Sequence, residues 1–337
     1  MNTQRRKRAV SRGIAALTVI MLGIFCLFLQ PANAHEDDHR AAAPETIKAI
    51  IIGDRVVDIA YKLGILPNAM SVRCSIWSMC EHLKVASQVL GCPNFTTAKK
   101  KETIPTALKK FGINRVIVEK RNDFCLYKPN VKPENIVPIL AGMDVTIEYV
   151  DFSNGLETAV RQTARLLGHE EMADELIEDY TKDLAEVKSL LPASKLDKRV
   201  IILSSAYQSS KGTSVIRVEA PGGYSDRFLL EPLGCVNVGD AFKPVNGKTQ
   251  KGHYPVVGNK DEMLLAPLIK ANPDVIVITG DAYAVQKALR EQTQKNPALA
   301  DVTAIKNWAV YSLPFYVDSS VLEYPTILRQ WAAALND

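Results

Sequence analysis

The sequence predicts an α/β protein: two α/β lobes with mainly parallel sheets, joined by one long helix. Three observations carry this. Short β-branched runs alternate with helical stretches from residue 46 to about 154. Residues 155–191 then keep helical apolar spacing without a strand-like break. The strand–helix alternation resumes at residue 199 and continues to residue 335. Such βα alternation marks parallel sheets covered by helices on both faces.

In the first half, Thr46–Ile52 (TIKAIII) reads as a buried strand ending at Gly53, Asp54 and Arg55, with Val56–Leu63 as the helix after it. Thr103–Phe111 reads as a helix closed by Gly112, Arg115–Val118 as a strand, Pro133–Leu140 as a helix and Val145–Val150 as a strand. Leu156, Val160, Ala164, Leu167, Met172, Leu176, Tyr180, Leu184, Val187 and Leu191 follow a helical period. Gly168 can bend that helix and Pro192 stops it. In the second half, Arg199–Leu203 is a strand and Ser225–Leu233 a helix with Gly234 as its C-cap. Glu262–Lys270 is a helix, Asp274–Ile278 a strand, Ala282–Glu291 a helix, Ala309–Leu313 a strand and Glu323–Leu335 a closing helix.

Ahead of these elements stands an export leader. Arg5, Arg6, Lys7, Arg8 and Arg12 precede an apolar run from Gly13 to Leu29; Pro31 breaks it, and Ala32 and Ala34 supply the small residues of a cleavage site. The expected organisation is a signal peptide at 1–34, cut after Ala34, and a flexible segment at 35–45. A first lobe at 46–154, the inter-lobe helix at 155–192 and a second lobe at 193–337 follow. The 41 basic and 37 acidic residues give a formal charge of +4. The five basic residues of the leader account for that excess, so the remainder is near neutral and a nucleic-acid partner is not expected. No later run is apolar enough to span a bilayer.

No Gly-x-Ser-x-Gly elbow, Walker loop, His-Glu-x-x-His or dinucleotide fingerprint is present, so an enzyme is not expected and no cofactor is required. Three stretches carry a resemblance instead. They are Leu230–Asp240 (LEPLGCVNVGD), Glu262–Thr279 (EMLLAPLIKANPDVIVIT) and Ile305–Leu313 (IKNWAVYSL), the last leading to the closing helix after Tyr324 and Pro325. Together they resemble the periplasmic solute-binding proteins of ABC importers, in the class with a rigid inter-lobe helix that serves iron–siderophore complexes, haem and cobalamin. The likeness covers most of residues 46–335. It implies a monomer in the periplasm that captures a metal chelate in a cleft between its lobes. It also implies delivery to an ABC permease and its ATPase, with exposed acidic residues docking the permease; Asp226 and Glu231 are second-lobe candidates.

On that implied layout, loops after the strands line the cleft, as ligands of α/β lobes sit at the C-terminal ends of strands. The candidate ligand-binding residues are Arg55, Arg73, Trp77, Lys120, Arg121, Tyr127, Tyr207, Tyr224, His253, Tyr254, Tyr283 and Tyr316. Aromatic walls with fixed cations suit a bulky, partly planar anion.

Five cysteines lie beyond the leader: Cys74, Cys80, Cys92, Cys125 and Cys235. An oxidising compartment favours at least one disulfide, for instance Cys74–Cys80 or Cys80–Cys92. The competing expectation is a soft-metal or cluster site built from Cys74, Cys80, Cys92 and Cys125. The first four are separated by five, eleven and thirty-two residues, which match no standard metal motif. The alternative functions are therefore cysteine-assisted binding of a soft metal ion or metallocluster, or a nitrogenase-like metallocluster protein. His35 and His39 can gather a metal weakly, and a solvated tail is the plainer reading.

Overall fold

Each lobe is a sheet whose two faces are covered by apolar side chains from helices and loops. The computed structural model describes residues 44–191, 194–208, 213–244, 252–256 and 264–336. The expected leader, the segment 35–43 with His35 and His39, and Pro192 lie outside the described residues.

The first sheet has the order β3-β2-β1-β4-β5, all parallel, built from β1 (Glu45–Ile52), β2 (Ile65–Ser71), β3 (Gln88–Val89), β4 (Arg115–Lys120) and β5 (Thr146–Asp151). Helix α1 (Asp54–Lys62) follows β1, and α2 (Thr103–Phe111) leads into β4. One face packs Ile50, Ile52, Val116 and Val118 against Ile104 and Leu108 of α2. The other packs Ile51, Met70 and Ile117 against Val56, Ile59 and Ala60 of α1. The pattern explains the near-continuous Ile and Val runs: parallel strands are covered on both faces.

Strand β2 is the element that the sequence pattern conceals. Pro67 and Asn68 interrupt its apolar run (ILPNAMS). Pro67 pairs with Ile47, where the β1–β2 register shifts before Ile50. An irregularity of this kind is where a strand tolerates a residue without an N–H.

The expected single long helix is two. Helix α3 (Leu156–Leu167) ends at Gly168, which adopts a left-handed conformation at φ 77°, and α4 (Ala173–Leu190) follows a short turn at Glu170–Met172. Ala173, Leu176 and Ile177 at the start of α4 pack into the first-lobe core, and Val187 near its end is buried in the second-lobe core. One helix thus bridges the two hydrophobic cores.

The second sheet runs β11-β10-β6-β7-β9, with β8 beside β6. It comprises β6 (Arg199–Gln208), β7 (Thr213–Glu219), β8 (Val236–Asn237), β9 (His253–Pro255), β10 (Val275–Gly280) and β11 (Val310–Ser312). β8, β6, β10 and β11 are parallel, while β7 and β9 add an antiparallel edge. β6 therefore runs past Leu203, and Ser204–Tyr207, expected as a loop, is strand. His253 and Tyr254 belong to β9, not to a loop. Helix α5 (Ala282–Lys295) follows β10, and α6 (Tyr324–Asn336) closes the chain against α4. The helix read from Glu262 spans Pro267–Ala271; Glu262 and Met263 lie outside the described residues. No helix among the described residues is long and apolar enough to cross a membrane.

Candidate functional site

The C-terminal ends of β1, β2 and β4 deliver a dense ionic cluster. Gly53, between β1 and α1, has φ 132°, and a Cβ there would lie 2.1 Å from Glu119 Cβ. Only glycine lets the ends of β1 and β4 approach so closely. Asp54 follows as the first residue of α1. Its carboxylate accepts from Arg73 N at 2.9 Å, Arg73 Nε at 2.5 Å and Ser319 Oγ at 2.7 Å.

Arg73 is 4% exposed and fully engaged. Nη1 donates to the Phe124 carbonyl and to the Tyr224 hydroxyl, at 2.5 and 2.7 Å; Nη2 donates to Asp318 Oδ1 at 2.9 Å and Ser319 Oγ at 3.0 Å. Arg121 pairs with Glu119 at 2.9 Å and with Asp318 Oδ2 at 2.8 Å. Arg55 donates from Nε to the Asp318 carbonyl at 2.8 Å and pairs with Asp318 Oδ2 at 3.3 Å. Three guanidiniums of the first lobe thus meet one carboxylate on the segment after β11. Burial opposes the charged form of Asp318, yet Arg73, Arg121 and Arg55 hold its carboxyl below the usual range. Burial pushes Glu119 up, with Arg121 and Arg55 opposing.

Beside this cluster lies a cavity of about 210 Å³ at the C-terminal edge of the first sheet. Its lining comes from the loops after β2 (Arg73, Ser75, Ile76), β3 (Cys92, Phe95, Lys99) and β4 (Phe124, Cys125, Tyr127, Lys128). A hollow of about 300 Å³ shares Ser75, Cys92 and Phe95 with it. Another of about 120 Å³ shares Cys125 and opens between Asp123–Leu126 and Tyr224–Phe228 of the second lobe. The Tyr127 ring stands edge-on to Tyr224 at 5.3 Å. Its hydroxyl is buried against the Tyr224 backbone without a hydrogen bond of good geometry, and burial, then Glu219, push its pKa up. Gly252 of the second lobe sits on the same ring: a Cβ there would fall 2.2 Å from Tyr127 Cε1. The cavity lining thus combines the aromatic side chains of Phe95, Phe124 and Tyr127 with the cations Lys99 and Lys128.

The structure brings Arg55, Arg73, Arg121, Tyr127 and Tyr224 together, and places the other expected residues elsewhere. The cations differ from expectation in one respect: Arg55, Arg73 and Arg121 are compensated by Asp54, Glu119 and Asp318 rather than held open. Trp77 is a core residue whose Nε1 donates to Ser320 Oγ at 2.8 Å. Lys120 is exposed and paired with Asp151 at 2.8 Å. Tyr207 pairs with Ser214 within the sheet. His253 pairs with Glu219 along β9, and buried Tyr254 donates to Asp240 at 2.5 Å. Tyr283 stands 73% exposed on the first turn of α5. Tyr316 is buried in an aromatic group with Phe228 and Tyr324. Asp226 is buried, accepting from Asn237 Nδ2 at 2.9 Å, so of the two acidic docking candidates only Glu231 is exposed.

Cys74 and Cys80 are joined in a disulfide with Cα atoms 5.2 Å apart. Their sulfurs are therefore unavailable as thiolates, and the expected four-cysteine metal set does not exist as such. Cys92, Cys125 and Cys235 remain as thiols. Among the described residues no three His, Cys, Asp or Glu side chains converge as a metal site. Phe95, Phe124, Lys99 and Lys128 line the cavity without having been singled out from sequence. The end of the strand before Arg121 is legible in the sequence, but not which side chains of the following loop turn inward.

Residues 116–317 match the profile of the periplasmic binding protein family, and the chain belongs to that family. No curated protein sequence matches it. Its fold is shared with several solved structures. The periplasmic heme-binding protein RhuT from Roseiflexus sp. RS-1 aligns with a TM-score of 0.51 and 15% identity, over 86% of this chain and 98% of that one. The iron-uptake system-binding protein FeuA from Bacillus subtilis aligns at 0.52 and 19% identity, over 86% and 94%. A periplasmic heme binding protein from Pseudomonas aeruginosa aligns at 0.50 and 16% identity, over 85% and 91%.

Proposed function

We propose that this protein is an extracytoplasmic substrate-binding protein that captures a metal chelate, of the iron–siderophore, haem or corrinoid class, and delivers it to an ABC permease and its ATPase. The carrying observation is the cavity at the strand ends of the first lobe, walled by Phe95, Phe124 and Tyr127 and rimmed by Lys99 and Lys128. Flat aromatic faces take up a conjugated or catecholate ligand, and ammonium groups suit its acidic substituents. Family membership supports the reading, as does a fold shared with proteins described as heme-binding and iron-uptake binding proteins. Export by the leader at 1–34, a periplasmic location and a monomeric state are parts of the same proposal.

A cavity of about 210 Å³ has room for only a fragment of such a ligand. Capture therefore requires the lobes to part, with the Asp318 contacts as the closure that must yield. Helix α4, anchored in both cores, limits that motion to a modest rotation. No catalytic step is assigned to these residues. The test is a titration of the mature protein with a ferric catecholate, haem and cobalamin, read by quenching of intrinsic fluorescence. Saturable quenching by one of them at micromolar concentration or below is expected; a flat response to all three would reject the proposal.

A further inference from the structure

Cys92 and Cys125 both line this cavity and neither belongs to a disulfide. They come from the loops after β3 and β4, strands that are not neighbours in the sheet. The loops meet because the short helix Phe95–Lys99 packs on Pro133–Ile136. Each thiol is carried on backbone that is held in place. The Cys92 carbonyl accepts from Phe95 N at 2.7 Å and Thr96 N at 3.1 Å. On the other wall, the Phe124 carbonyl is gripped by Arg73 at 2.5 Å and Arg121 at 2.6 Å, and Leu126 N donates to the Tyr224 hydroxyl at 3.0 Å. Cys125 is thus fixed from both sides, as the residues of a pre-formed site are. Cys235, by contrast, is buried in the second-lobe core.

We propose that Cys92 and Cys125 together ligate a soft metal centre in this cavity. Sulfur donors select soft ions such as Cu(I), whereas hard cations require several oxygen ligands. The lining contains no carboxylate or imidazole, so it offers a hard divalent ion none of the anionic oxygen ligands it requires. Two protein sulfurs leave the remaining coordination positions open. A bare soft ion fits that arrangement, and so does the metal of an organic chelate that brings its own donors. Two sulfur–metal bonds form and two thiol protons pass to solvent, so affinity falls as the pH is lowered. For the chelate, the inference rests on the function proposed above; for the bare ion it does not.

The experiment uses the mature protein under anaerobic conditions, with Cu(I) supplied as a coloured competitor complex in one arm and haem in the other. The wild type is expected to withdraw one Cu(I) per chain, and Cys92→Ser and Cys125→Ser each to weaken uptake on the order of 100-fold. Cys235→Ser is expected to leave it unchanged. In the haem arm, the absorbance signature of thiolate ligation is expected in the wild type, changed in each single variant and lost in the double variant Cys92→Ser/Cys125→Ser. A measurement without substitutions guards against misfolding: the bound metal should protect Cys92 and Cys125 together from alkylation, read by peptide mass spectrometry. Uptake that survives in both serine variants, or both thiols remaining alkylatable with Cu(I) and with haem, would overturn the inference. Chelate binding that ignores both cysteines, with no Cu(I) uptake, would leave the proposed function standing and remove this site. Cysteine-dependent Cu(I) uptake without binding of any chelate would do the reverse.

Discussion

Arg73 and Asp318, 245 residues apart in sequence, meet at 2.9 Å in a buried ion pair between the end of β2 and the segment after β11. Arg55 and Arg121 converge on the same carboxylate. With Asp54 and Glu119, Asp318 completes a balance of three positive and three negative groups. Asp318→Asn keeps the shape and leaves one buried positive charge without a partner. Breaking a buried pair on one side costs about 3–5 kcal/mol. Urea unfolding of the variant should show a loss in that range; a change under about 1 kcal/mol would mean that solvent reaches the cluster and screens it.

Acid and base act on different groups. The Asp318 carboxyl, held low, contributes stability that is present above the ordinary carboxylate pKa and lost as pH falls through its folded value. Asp58 behaves in the opposite sense. It is buried on α1 against the Val321 and Leu322 backbone without a hydrogen bond of good geometry, and burial, then Glu323, raise its pKa to about 8. Burial likewise raises Glu219 to about 7, with Ser225 opposing. Both bind protons more tightly when folded, so their contribution is full below the ordinary carboxylate range and is lost as pH rises through about 7 and about 8. Unfolding free energy should decline as pH rises from about 4 to about 8, and Asp58→Asn should flatten the upper part of that decline. An unchanged slope in the variant would assign the dependence to other groups.

If the cavity holds the ligand, Phe124→Ala and Tyr127→Ala should each weaken chelate binding by about tenfold or more, the scale of a lost aromatic contact. Tyr283→Ala should not, because that ring stands exposed on α5 and is absent from the cavity lining. Equal effects of all three in the fluorescence titration would move the site toward the second lobe.

Thiol reactivity should sort by burial. In the native mature protein, the half-buried Cys92 and Cys125 should react first and buried Cys235 only on unfolding. Cys74 and Cys80 should appear only after reduction. Five thiols titrating without reductant would rule out the disulfide.

Gly53→Ala should cost about 3 kcal/mol or more, because a positive φ and a clash with Glu119 act together. Gly112→Ala, at φ 60° with nothing within 4 Å, should cost about 1 kcal/mol. Similar losses at both positions, read by thermal unfolding, would show that β4 moves aside at little cost.

Much of the fold is legible in the sequence because parallel strands buried on both faces leave uninterrupted runs such as Ile50–Ile52 and Val275–Ile278. β2 is hidden by Pro67, whose tolerance depends on a register shift that only its neighbour β1 reveals. The antiparallel edge is hidden because β6 continues through the polar Ser204 and Ser205, which carry no strand signal. At the site, the cationic loops are readable as strand ends. Their neutralisation is not, since Asp318 comes to Arg73 through tertiary contact and no local pattern links them. Trp77 and Tyr316 illustrate the same limit: an aromatic in a loop sequence can turn into a core as readily as into a cleft.

The position of Asp318 has a consequence for how the molecule is made. The chain grows from its N-terminus, and the helix and strand-end loops that bear Arg55, Arg73 and Arg121 are made long before the residue that balances them exists. Until β11 has formed and the segment beyond it has docked, the first lobe holds a surplus of guanidinium at its strand ends. Trp77 and α1 likewise lack the cover supplied by Ser320 and Val321. The stretch of chain before α6 thus completes the charge balance and the core of a lobe whose strands precede it by more than 150 residues.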